Sequence, residues 1–163
     1  MMNNQFANAT TMWESWFFSD NTFSHNHPMF GSSEVWLLQS VAGIQPHPAA
    51  KGMDRVLIKP SPPSKLDHAA ASFDTPRGTV SVSWARKAGG GFTLTTTIPP
   101  NVQATVHIPS RAGTHVLEGD QGGELEQEQA RKVQGRRVSA PHGSQPALII
   151  ELGSGQYHFH STL

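Results

Sequence analysis

From Arg55 onwards the apolar positions recur every second residue, and before it they do not. Val80, Val82 and Trp84 alternate with Thr79, Ser81 and Ser83. Phe92, Leu94, Thr96 and Ile98 alternate with Thr93, Thr95 and Thr97, and Val102, Ala104, Val106 and Ile108 repeat the pattern. Successive side chains of an extended chain point to opposite faces, so each run predicts a strand with one buried face. Residues 55–59 and 66–74 read as two earlier strands and 114–117 as a short later one. Leu148, Ile150 and Leu152, then Tyr157 and Phe159, predict a closing pair. Pro62-Pro63, Thr75-Pro76, Gly89-Gly90-Gly91, Pro99-Pro100-Asn101 and Gly153-Ser154-Gly155 supply the turns. Short strands at this spacing predict an antiparallel β-sandwich.

Ahead of the strands the period lengthens. Met29, Val35, Trp36, Leu38, Val41 and Ala42 gather on one broad stripe, which predicts a helix over 28–42. Ser32 or Ser33 is placed to cap its second part, Glu34 complements a helix N-terminus, Gly31 marks a bend, and Gly43 stops the run. Residues 45–52, with Pro46 and Pro48, read as a linker. Residues 1–8 are a polar lead-in. Between them Trp13, Trp16, Phe17, Phe18 and Phe23 crowd more rings together than a short helical piece can cover alone. Residues 111–145 are the least regular stretch. Gly122-Gly123, an acidic run through Glu124, Glu126 and Glu128, and a basic run through Arg131, Lys132, Arg136 and Arg137 predict a polar insertion at about 119–145 in a hairpin.

Composition narrows the partners. The 163 residues carry 12 basic and 12 acidic side chains, so no net field draws the chain to nucleic acid or to an anionic membrane. Charged residues make up only 15%, beside 15 Gly and 12 Pro, which suits a turn-rich β protein better than a helical bundle. There is no cysteine, hence no disulfide framework and no thiolate metal site. No apolar run has the length of a membrane span, and the first twenty residues lack the pattern of a signal peptide.

One acid, Glu14, sits between Trp13 and Trp16, and the pair His25 and His27 follows shortly afterwards. Flat indoles can cover the apolar face of a pyranose while a carboxylate and an imidazole reach its hydroxyls or an attacking water. The plainer reading is that tryptophans three apart are core residues and the acid between them a cap or a surface group. Trp84, alternating with valines, is a core residue. His25/His27 and His158/His160 each offer two ligands to a metal, but a tight site wants a third and a fourth, and no spacing supplies them. We therefore expect no metal and no cofactor, with His158 and His160 on the solvent face of the last strand. No phosphate-binding glycine loop and no nucleophile elbow is present.

The string Ala9-Thr10-Thr11-Met12-Trp13-Glu14, the step Asn26-His27 and the ending Glu151 to Phe159 resemble the C-terminal end of the α-L-rhamnosidases of glycoside hydrolase family 78. The resemblance implies a mainly β fold, with a C-terminal antiparallel sandwich preceded by a short helical remnant of an (α/α)6 barrel. Residues 1–46 would be the barrel fragment and 47–163 the sandwich. It also implies a rhamnose-containing glycoside or polysaccharide as substrate and a missing N-terminal catalytic barrel as partner. Glu14 takes the place of the general base of an inverting hydrolysis, His27 that of a substrate-orienting donor, and Trp13 that of a pocket wall. The general acid belongs to an upstream segment, so the chain alone is expected to be inactive and truncated at its start. The family commonly has glycine where this chain has Asn8, and a longer loop between the glutamate and the histidine. Two rivals stand beside this reading: a non-catalytic β-sandwich that is an accessory or carbohydrate-binding module, and a different (α/α)6 glycosidase with a similar terminal domain.

Overall fold

The computed structural model describes residues 9–15, 23–119, 131–132, 136–138 and 146–163, in two compact units, Met1–Leu37 and Leu38–Leu163.

Among the described residues of the first unit the regular element is helix α1, Pro28–Trp36. Pro28 opens it, where a missing N–H costs nothing and the fixed φ is already helical. The serines expected to cap it do something else: Ser32 Oγ donates to Met29 O (2.6 Å) and Ser33 Oγ to Phe30 O (2.9 Å). Both lie inside the helix, where a hydroxyl reaches the carbonyl of the preceding turn more readily than a free N–H. His27 is the N-cap residue and makes no side-chain capping bond.

A wide helical turn of π type, Leu37–Ala42, follows, and all but its first residue belongs to the second unit. It closes with Gly43 N–H donating to Leu38 O (3.0 Å), five residues back. Among the described residues eleven strands follow: β1 Ile44–Pro46, β2 Arg55–Ile58, β3 His68–Thr75, β4 Gly78–Arg86, β5 Gly91–Ile98, β6 Gln103–Pro109, β7 Leu117–Glu118, β8 Arg131–Lys132, β9 Arg136–Val138, β10 Ala147–Leu152 and β11 Gly155–Thr162. They form one sheet in the order β1-β2-β6-β10-β9 and a second in the order β3-β4-β5-β11-β7-β8. The protein is mainly β, as its period-two pattern predicts.

The alternation decides which side chains meet. Val56, Ile58, Val106, Ile108 and Leu148 of the first sheet share one buried cluster with Val80, Val82, Trp84, Phe92, Leu94 and Phe159 of the second. Each such large side chain taken out of water contributes about 1.5–3 kcal/mol. Thr96, in line with Phe92 and Leu94, is also fully buried, and its hydroxyl is satisfied by donating to Ser81 O (2.9 Å). Ser161 Oγ donates to Pro109 O (2.6 Å), joining the last strand of the second sheet to β6 of the first.

Three features depart from the sequence reading. The sheets are antiparallel except at β2, which runs parallel to β6, with Val56 opposite Ala104 and Ile58 opposite Val106. Parallel neighbours need a long crossover, and here the chain between them builds β3, β4 and β5 of the other sheet. Residues 45–52, read as a linker, start within a strand: β1 pairs with β2, and Pro46 is tolerated because β1 is an edge. The basic residues of the expected insertion also pair, β8 against β7 in one sheet and β9 against β10 in the other. Charged residues on edge strands discourage pairing with another chain.

Candidate functional site

The candidate chemistry lies in the first unit, where two irregular segments run side by side. Glu14 N–H donates to Ser24 O (2.9 Å) and His27 N–H to Met12 O (2.8 Å). The Thr11 hydroxyl adds a third bond, to His25 O. These bonds hold residues 11–14 against 24–27, which brings together side chains distant in sequence.

Glu14 is gripped at both ends. While its N–H reaches Ser24 O, its carboxylate Oε2 accepts the Ser24 N–H at 3.0 Å. The same Oε2 lies 4.0 Å from His27 Nδ1. With 40% of the Glu14 side chain and 24% of His27 open to solvent, this contact contributes little to stability, and its importance is positional. Ser24 is itself set by a local turn, its Oγ donating to Asn26 O (2.8 Å) and accepting the Asn26 N–H (3.1 Å).

The two histidines of the His-x-His pair diverge. His27 leans on Phe30 at the start of α1, ring centroids 4.7 Å apart. His25 lies flat on Trp13, centroids 3.9 Å apart and planes within 7°. A concavity of about 710 Å³ opens beside them, lined by Trp13, Glu14, Met29, Phe30, Ser33 and Trp36 among others. Its wall is mostly apolar, with the Glu14 carboxylate as its acidic group. His27, next to Glu14, does not line it. Among the described residues no second acid lines this concavity.

Each residue singled out in the sequence can now be placed. Glu14 and His27 are neighbours, and Trp13 is beside them. Trp16, Phe17, Phe18 and Asn8 lie outside the described residues. Ser24, which holds the carboxylate, was not anticipated, and His25, singled out in the sequence only as a partner of His27 in a metal pair, stacks on Trp13 instead. His158 and His160 depart from expectation. They do face away from the core, yet they are half-buried between β5 and β7, opposite Thr95 and Thr93. His158 Nδ1 is 2.9 Å from Thr95 Oγ1. Burial, then Lys87 and His158, hold the His160 imidazole below its ordinary pKa. Among the described residues no three His, Asp or Glu side chains gather as a metal site, and no helix is long and apolar enough to cross a membrane.

Residues 43–123 match the bacterial α-L-rhamnosidase C-terminal domain. An α-L-rhamnosidase of Streptomyces avermitilis is 33% identical over 159 residues, covering 93% of this chain and 14% of that protein. One from an Alteromonas species is 33% identical over 110 residues, covering 63% of this chain and 12% of the relative. The chain thus spans a small part of the relatives it matches. Among solved structures, an α-L-rhamnosidase from Dictyoglumus thermophilum superposes with a TM-score of 0.70 at 28% identity, over 95% of this chain and 16% of that one. The Streptomyces avermitilis enzyme complexed with L-rhamnose gives 0.68 at 30%, over 98% and 14%. Residues 43–123 therefore carry the C-terminal domain of the bacterial α-L-rhamnosidases, and the chain as a whole is similar to the C-terminal portion of such proteins.

Proposed function

We propose that this chain is the C-terminal segment of an inverting α-L-rhamnosidase acting on a rhamnose-containing glycoside or polysaccharide, with residues 1–46 as a fragment of its (α/α)6 catalytic barrel. The observation that carries the reading is Glu14, whose carboxylate borders the concavity with the His27 imidazole 4.0 Å from it. In this role Glu14 takes a proton from the water that attacks the anomeric carbon. Ser24 N–H holds one oxygen of the carboxylate and leaves the other for that water. His27 orients the carboxylate or a sugar hydroxyl, and Trp13 presents an apolar face to the ring. Inversion also needs a protonated acid roughly 6.5–9.5 Å across the sugar from the base. That acid comes from the rest of the parent protein, so the isolated chain neither protonates the leaving oxygen nor encloses the substrate.

Rhamnoside hydrolysis by the parent enzyme tests the assignment. Glu14→Gln should abolish most turnover while the protein still binds rhamnose, and unchanged turnover would overturn it.

A second reading treats the chain as a non-catalytic sandwich, an accessory or carbohydrate-binding module. It is favoured by the second unit, Leu38–Leu163, which has a closed core of its own. Titration with rhamnose and with oligosaccharides separates the two readings. A binding event lost on changing His27 supports the catalytic pocket, and a complete indifference of sugar binding to His27 supports the module.

A further inference from the structure

At one end of the sandwich three segments of chain enclose a hollow of about 480 Å³. Asp54 lines it from just before β2 and Arg55 from the start of that strand, Asn101 from the turn between β5 and β6, Gln103 from the start of β6, and Ser154 from the turn between β10 and β11. Its volume falls within the range of roughly 300–1,000 Å³ usual for small-molecule sites.

The wall is prearranged. Asp54 Oδ1 accepts the Lys51 N–H (2.6 Å), and Asp54 O accepts the Gln103 N–H (3.0 Å). Arg55 stands opposite Gln103 in the parallel pairing, so both project from the same face of the sheet. Arg77 clamps two rims together, its Nε donating to Gly52 O (3.2 Å) and its Nη1 to Asn101 O (3.4 Å). Asn101 sits at φ +59°, a left-handed conformation that asparagine tolerates and that closes the turn tightly.

The lining groups themselves are unused. Among the described residues the side chains of Arg55, Asn101, Gln103 and Ser154 bond to no other protein group. A guanidinium fork, two carboxamides, a hydroxyl and the outer Asp54 oxygen therefore face one space. The charges of Asp54 and Arg55 offset each other, which selects for neither an anion nor a cation. A neutral ring with adjacent hydroxyls, each both donor and acceptor, matches such a mixed set.

We propose that this hollow binds one saccharide unit of the glycan, as a second sugar site separate from the Glu14 concavity. The proposal rests on the reading of the chain as part of a rhamnosidase, but not on the role of Glu14. The test is a ¹⁵N–¹H titration of the whole chain with L-rhamnose and with a rhamnose-containing oligosaccharide. Saturable shifts are expected at the side-chain amides of Asn101 and Gln103, at Arg55 Nε and at the Ser154 backbone. Arg55→Met combined with Gln103→Ala should weaken this binding by about tenfold or more, as the loss of a charge-assisted hydrogen bond implies, without changing the thermal midpoint much. Glu14→Gln should leave it intact, so the hollow and the catalytic assignment fail separately. The proposal is overturned if these groups do not shift, if the double variant still binds, or if inorganic phosphate displaces the sugar, which would make the hollow an anion site.

Discussion

Glu14 Oε2 stands 4.0 Å from His27 Nδ1 and 3.0 Å from the Ser24 amide nitrogen, so one carboxylate oxygen is held by two groups from a segment ten or more residues away. The hold is selective. Replacing Glu14 by Gln preserves an oxygen that can accept the Ser24 N–H but removes the charge and the basicity. In the parent enzyme Glu14→Gln should lower kcat by about 10²–10⁴-fold, the usual worth of a positioned base. Steady-state kinetics on a rhamnoside, with a thermal melt to show that folding is unaffected, check this outcome.

Trp84 should be the most sensitive aromatic in the sandwich. Its Nε1–H donates to Val41 O (2.8 Å), and it is almost wholly buried. Trp84→Phe leaves that carbonyl buried without a donor and removes ring volume. A loss of about 1–3 kcal/mol is expected from the orphaned carbonyl alone. Urea unfolding followed by far-UV circular dichroism measures it.

Gly43 turns the chain out of the π turn at φ +94°, where a Cβ would stand 2.3 Å from Pro60 N. Gly43→Ala therefore combines an unfavourable backbone conformation with a collision against main chain that cannot swing aside. The conformation alone costs about 1–3 kcal/mol. Gly52, also at positive φ but with open space around it, is the matched control, and Gly52→Ala should cost less. Denaturant midpoints of the two variants give the comparison.

His160 should impose a pH dependence. Its imidazole titrates below the ordinary 6.5 in the folded protein, first because of burial and then because of Lys87 and His158. Below pH 6.5 the unfolded chain takes up this proton before the folded one does. Stability from the neutral imidazole is therefore full above that pH and falls as pH drops towards the folded-state value. His160→Gln should flatten this part of the profile. Urea midpoints of both proteins between pH 8 and pH 5 isolate the contribution, because the other histidines are common to both.

The strands of the sandwich were legible because a half-buried strand writes its burial into every second residue, as in the runs ending at Trp84, Ile98 and Ile108. Pairing partners were not. Nothing near Val56 announces that its neighbour is Ala104 in a parallel register, since that contact is made across a gap of three strands. The π ending of the helical run was hidden for a similar reason. The donor that takes Val41 O, Trp84, lies 43 residues further on. In the site, the types of Glu14, His27 and Trp13 suggested sugar chemistry, and the Ala-Thr-Thr-x-Trp-Glu string made the suggestion specific. Their support by Ser24 and His25 was invisible, because a backbone N–H and a stacked ring leave no trace in residue type.

The parallel seam between β2 and β6 also sets an order of assembly. During synthesis β1 and β2 emerge before their partner and have nowhere to dock until β6 has appeared, some fifty residues later. Val56 and Ile58 must wait in the open meanwhile, while β3, β4 and β5 can already zip together as hairpins. The interval between the emergence of β2 and that of β6 should thus be the one in which this part of the nascent protein most needs a chaperone.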